Sequence, residues 1–167
     1  MANESTGVAS LESAKQQTIF QLMRARAALL TAIHGLSAEA AERPYAEGKW
    51  STREIVLHLV LRDRARLREM EGALLGTRAS WENYSKEEMD RHNAEGLAEL
   101  GDPSWDQAVE LLSLTRGELL DEIESVPEEP SEVWAQEHAF GWMLYGLPKH
   151  DLHHAEVIQR WRAENGA

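Results

Sequence analysis

The sequence predicts an all-α protein: four long helices with short extra ones, packed as a bundle with long crossover connections. Three observations carry this. Apolar residues recur at spacings of three and four along most of the chain. Serine-led capping boxes stand before these stretches. No segment alternates apolar and polar residues as a sheet needs.

The elements follow in order. Residues 1–10 form a frayed tail, and 11–167 a single domain. From Leu11 to Ile33 the stripe is Leu11, Ala14, Ile19, Leu22, Met23, Leu29, Leu30 and Ile33, ended by Gly35. Ser37 caps a short helix, and Pro44 and Gly48 mark a loop. Ser51-Thr52-Arg53-Glu54 is a capping box opening a helix to about Leu75. After a loop with Trp81 and Tyr84, Ser85-Lys86-Glu87-Glu88 opens a helix to about Leu100. Ser104, with Gln107 at the N3 position, caps one running to about Ser125. Val133 to Gly146 is aromatic and reads as irregular, and a last helix runs from about Pro148 to Arg162.

Composition excludes several functions. The chain has 167 residues, 43% hydrophobic, and no cysteine. Disulfides, thiolate catalysis and cysteine-ligated zinc are therefore absent, and any thiol chemistry needs an external thiol. The N-terminus lacks the basic start and apolar core of a signal peptide. The longest apolar stretch, Ile55 to Leu61, is interrupted by His58 and too short to span a bilayer. A cytoplasmic protein is expected. The formal net charge of −12 argues against nucleic acid. Arg62, Arg64, Arg66 and Arg68 do not share one helical face, and Asp63, Glu69 and Glu71 are mixed among them.

The histidines are the candidate chemistry. His150 and His154 lie four apart, so two imidazoles can converge on one ion. At about 100° per residue, Leu147, Val157, Ile158 and Trp161 define an apolar arc. His154 lies within it, His150 at its edge, and His153 off it. An inward pair must be satisfied, by a metal or by carboxylates and carbonyls of neighbouring helices. His58 is the best candidate for a third ligand. It sits at the edge of its own helix's apolar arc, on a face with Glu54, Arg62 and Ala65, which suits the wall of a cleft. His34 and His92 read as surface or loop residues, and His138 as one that can line a pocket.

Trp50-Ser51-Thr52-Arg53-Glu54-Ile55-Val56-Leu57-His58-Leu59 resembles the N-terminal signature of the DinB/YfiT-like superfamily. His150-Asp151-Leu152-His153-His154 resembles its C-terminal signature, H-x-x-H-H. The resemblance implies a DinB-like four-helix bundle with up-down-down-up connections, often dimeric. It implies a divalent metal, zinc or nickel, held by His58, His150 and His154. It further implies nucleophile activation: thiol-dependent S-transfer or isomerisation, or hydrolysis, on a small-molecule substrate, with a low-molecular-weight thiol as a possible partner. The other reading is a bundle that binds a metal or small ligand without turnover.

No acid or base stands out. Glu54 shares a face with His58, but capping is its expected use. Asp90 and Asn93 share a face that either lines the cleft or, the favoured reading, is solvated. Asp151 and Glu156 read either as partners orienting the imidazoles or as surface charges. Trp50, Trp81 and Trp142 wall a pocket or pack the core and its lid.

Overall fold

The computed structural model describes residues 13–167. The expected tail and the start at Leu11 lie outside these residues. Six helices follow: α1 (Ala14–Ile33), α2 (Ala38–Glu42), α3 (Thr52–Leu74), α4 (Lys86–Glu99), α5 (Trp105–Ser125) and α6 (Ala139–Asn165). There is no strand among the described residues, only an isolated bridge between Pro44 and Ser51.

The caps form as the sequence dictates. Ser51, Ser85 and Ser104 each accept from the N3 backbone amide, and Glu54, Glu88 and Gln107 reach back to the cap residue's own N–H. Ser37 caps α2 in the same way, accepting from the Ala40 amide.

Contacts at the helix ends fix the directions. Lys15 at the start of α1 binds the carbonyls of Glu124 and Val126 at the end of α5, so these two are antiparallel. Arg162 late in α6 donates to Ala32 and His34 at the end of α1, so those two are parallel. Arg53 and Arg116 tie the start and the interior of α3 and α5 together in parallel. The order is up-down-down-up for α1, α3, α5 and α6.

The last helix differs from expectation. It begins at Ala139, nine residues before Pro148, so Phe140, Trp142 and Tyr145 of the aromatic stretch lie in its first half, while Trp134 sits in a 3-10 turn ahead of it. Ala139, Phe140, Met143, Leu144 and Leu147 are buried at helical spacing, extending the stripe of Ala155, Ile158 and Trp161 upstream. His138 caps it, its Nδ1 accepting from the Phe140 amide at 3.2 Å. An internal proline costs about 3 kcal/mol; burial of that stripe outweighs it.

Gly141 explains why the segment before α6 lies so close. A Cβ there would stand 2.1 Å from the Ala135 carbonyl oxygen and 2.7 Å from the Trp134 carbonyl carbon. Gly141→Ala is therefore expected to destabilise by about 3 kcal/mol, since backbone must move rather than a flexible side chain. A urea midpoint within error of wild type would contradict this.

The core has two apolar regions, one around Val56, Val60, Leu112 and Ile158, the other around Leu22, Leu119, Ile123 and Phe140. Met23 and Leu30, counted in the first stripe by spacing, are exposed. A buried ionic cluster occupies positions from all four long helices. Asp63 and Asp151 are fully buried, with Arg26 and Arg116 at 4% and 3% exposure. Arg26 Nε donates to Asp151 Oδ2 at 3.0 Å and its Nη2 to Asp63 Oδ2 at 3.1 Å. Arg116 Nη2 donates to Asp63 Oδ1 at 2.8 Å, and its Nη1 lies 3.1 Å from Asp151 Oδ2. Burial opposes the charge on Arg116, but Asp63 and Asp151 outweigh it and raise its pKa.

No described helix is long and apolar enough to cross a membrane.

Candidate metal centre

His58 lies in the second turn of α3, and His150 and His154 one turn apart in the middle of α6. The antiparallel packing of these helices brings the three rings together. His150 Nε2 is 3.3 Å from His58 Nε2 and 3.2 Å from His154 Nε2. One nitrogen from each ring lies within 4.8 Å of the others. Two nitrogens bound to one tetrahedral ion at about 2.05 Å stand about 3.3 Å apart, so the observed spacing fits.

Hydrogen bonding alone satisfies this arrangement poorly. A neutral ring nitrogen offers one proton or one lone pair. His150 Nε2 faces two others and cannot form two good bonds at once. The Nδ1 atoms of His58 and His154 are buried without a partner. With Nδ1 protonated, three Nε2 lone pairs point inward, and a cation between them turns mutual repulsion into ligation.

The electrostatics keep the rings neutral. Burial lowers the His58 pKa to about 3, with further lowering from His154, Arg62 and Arg66. Burial takes His150 to about 2, helped by His154, His58, Arg62 and Arg66. Burial takes His154 to about 4, His153 adding to the effect and Asp151 opposing it. Unprotonated imidazole is the form that ligates.

His58 is buried rather than at the wall of a cleft. Trp50, from the loop ahead of α3, tilts against it with ring centroids 4.9 Å apart, covering the face that the helix itself leaves at the edge. His154 is half-buried and lines a groove of about 300 Å³ with Tyr45, Trp50, Ile55 and Val157. His153 is exposed on the same groove, outside the group of three.

Other expected positions fall as follows. Glu54 Oε2 accepts from the Ser51 amide at 2.8 Å, so it caps α3. Asp90 is exposed and paired with Lys86, while Asn93 and His92 line a cleft between α3 and α4. His34 and Glu156 are exposed. Trp142 is 43% exposed, stacked on Tyr145 rather than walling the site. Asp151 is neither an imidazole partner nor a surface charge: both oxygens are held by arginines in the ionic cluster. That cluster was missed by sequence reasoning. Its only signal was charged residues at core positions of helical stripes, Arg26 between Leu22 and Leu29, and Asp151 between Leu147 and Ala155.

Comparison with known proteins agrees with this architecture. The family model described as the DinB superfamily matches residues 21–158. No curated protein and no solved structure matches the chain. That match spans α1 to α6 and takes in all three grouped histidines, and the chain belongs to the DinB superfamily.

Proposed function

We propose that the protein is a metal-dependent enzyme in which His58, His150 and His154 hold a divalent ion, zinc or nickel. The reaction class is hydrolysis or S-transfer on a small molecule. The observation that carries this reading is the convergence of the three imidazole Nε2 atoms at 3.2 and 3.3 Å. An ion held by three imidazoles keeps open coordination positions and supplies Lewis acidity, which makes water or a thiol nucleophilic near neutral pH.

The chain's own residues do the rest. The neutral ligands leave the ion's positive charge undiminished. Trp50 packs on His58 and keeps water from its ring. The groove beside His154, walled by Tyr45, Trp50, Ile55 and Val157, gives an apolar substrate body a place beside the centre. The chain has no cysteine, so S-transfer uses a low-molecular-weight thiol from solution.

One observation favours the alternative of binding without turnover. Among the described residues, no carboxylate hydrogen-bonds to any of the three imidazoles. Proton transfer would then fall to the substrate, the thiol or solvent.

Elemental analysis of untagged protein after incubation with zinc or nickel tests the site. About one ion per chain is expected for wild type, with affinity at least about a hundredfold weaker in His154→Ala. Equal metal content in the two proteins rejects the site. Turnover of esters and of thiol-reactive electrophiles by the loaded protein, absent in the variant, separates enzyme from binder.

A further inference from the structure

Beside the three imidazoles lies a group of side chains that can only donate hydrogen bonds. Arg62 and Arg66 follow His58 at one-turn intervals on α3, so the three share a face. Neither arginine is in a salt bridge among the described residues, where the cluster's carboxylates are engaged by Arg26 and Arg116. Arg66 is 4% exposed, and its Nε is buried with no partner. Its Nη1 donates to the Arg62 carbonyl at 3.3 Å. Among the described residues, the Arg62 side chain's one hydrogen bond is to Met89 Sδ at 3.6 Å, a weak acceptor.

Trp81 completes the group. Its ring lies under both guanidiniums, with centroid distances of 4.2 Å to Arg66 and 5.1 Å to Arg62. The indole Nε1 is itself buried without an acceptor. Guanidinium and indole N–H groups donate and never accept. What is missing from this stack is an acceptor, and a negatively charged one.

The charge count agrees. The buried residues Arg26, Arg66 and Arg116 face Asp63 and Asp151, an excess of one positive charge before Arg62 is added. Burying an uncompensated cation is costly. Arg62 is half-buried and reaches solvent through the cleft of about 330 Å³ between α3 and α4. Glu95 and Glu99 also line that cleft, yet neither is in a salt bridge with Arg62.

We propose that Arg62 and Arg66 are an anion-receiving subsite, and that the molecule acted on at the histidines carries a carboxylate or phosphate group. The inference rests on the histidine centre proposed above. Planar guanidiniums suit either anion, which accepts two parallel hydrogen bonds from one fork. Stacking on Trp81 holds the forks in orientation. Along α3 the two arginines stand about 6 and 12 Å from His58 at 1.5 Å per residue. Anion and reacting group are thus separated by the length of a small molecule.

The test is calorimetric titration of the full chain, zinc-loaded and metal-free, with succinate, inorganic phosphate and uncharged succinamide. One of the anions is expected to bind, identifying carboxylate or phosphate, and succinamide not to. Arg62→Gln should weaken the binding about tenfold or more, as loss of a charge-assisted bond does. Arg66→Lys, which keeps the charge and loses the fork, should weaken it less. Circular dichroism confirms that each variant is folded, and elemental analysis should find wild-type metal content in Arg62→Gln. Silence toward both anions at millimolar concentration overturns the subsite, as does an Arg62→Gln protein that binds like wild type. Anion binding through Arg62 by a wild type that holds no metal would leave the subsite standing and remove the histidine reading. Metal retention without anion binding does the reverse.

Discussion

Asp151→Ala is expected to lower the free energy of unfolding by about 3–5 kcal/mol, the cost of breaking a buried ion pair from one side. Asp151 receives Arg26 through both oxygens and lies 3.1 Å from Arg116 Nη1. Removing it leaves two buried guanidiniums sharing Asp63 alone. Asp151 is 0% exposed, so bulk solvent does not screen the charges it leaves behind. For a domain whose total stability is about 5–15 kcal/mol, such a loss is a large share of the whole. The measurement is the urea midpoint, which should fall while the slope is unchanged. A loss under about 1 kcal/mol would mean that the cluster is paired more loosely than its geometry indicates. Asp151→Asn, which keeps shape and two polar atoms, is expected to cost less than alanine.

Acid should destabilise the metal-free protein early and steeply. His58, His150 and His154 have pKa values of about 3, 2 and 4 in the fold, against 6.5 ordinarily. Between pH 6.5 and those values the unfolded chain binds protons that the folded chain refuses. Stability therefore rises with pH across that window: the full value is present above about 6.5 and is lost progressively below it. Three such groups give a slope of at most about 4 kcal/mol per pH unit. Urea midpoints of metal-free protein taken at about pH 7.5 and about pH 5 should differ sharply, with a shallower dependence in His150→Phe. Zinc added at the higher pH should raise the midpoint, because an ion that binds only the folded state stabilises it by mass action. A wild-type midpoint that is flat over this range would show that the rings are not held neutral.

Much of this was legible in the sequence where the information is local. A capping box is four consecutive residues, and Ser51, Ser85 and Ser104 all cap as their neighbours dictate. The inward pointing of His150 and His154, with His153 outside, follows from angles on one helix. Burial set by other segments was not legible. His58 sits at the edge of the α3 stripe, and it is buried because Trp50 folds over it from outside that helix. Pro148 marks a helix start by its own preferences, but the stripe from Ala139 to Leu147 carries the helix through it. The arginines were the hardest. Arg66 and Arg62 have ordinary surface chemistry in a window of α3, and only the arrival of Trp81 from the following loop shows otherwise. Asp151 reads from its own helix as an imidazole partner or a surface charge, because its actual partners are 35 and 125 residues away.

The ionic cluster has a consequence for anyone wishing to transplant the histidine centre into another bundle. On α3, His58 is five residues from Asp63, and on α6, His150 is adjacent to Asp151. Each of these two helices thus brings one part of the cluster and at least one of the converging rings. Sliding α3 against α6 by a single turn, about 5.4 Å, would part the rings and the ion pairs together. The arginines of α1 and α5 clamp both carboxylates, so they set the alignment that the imidazoles depend on. A graft of three histidines alone would carry the ligands without the ruler that spaces them. The minimal portable unit is seven residues on four helices: His58, His150 and His154 with Arg26, Asp63, Arg116 and Asp151.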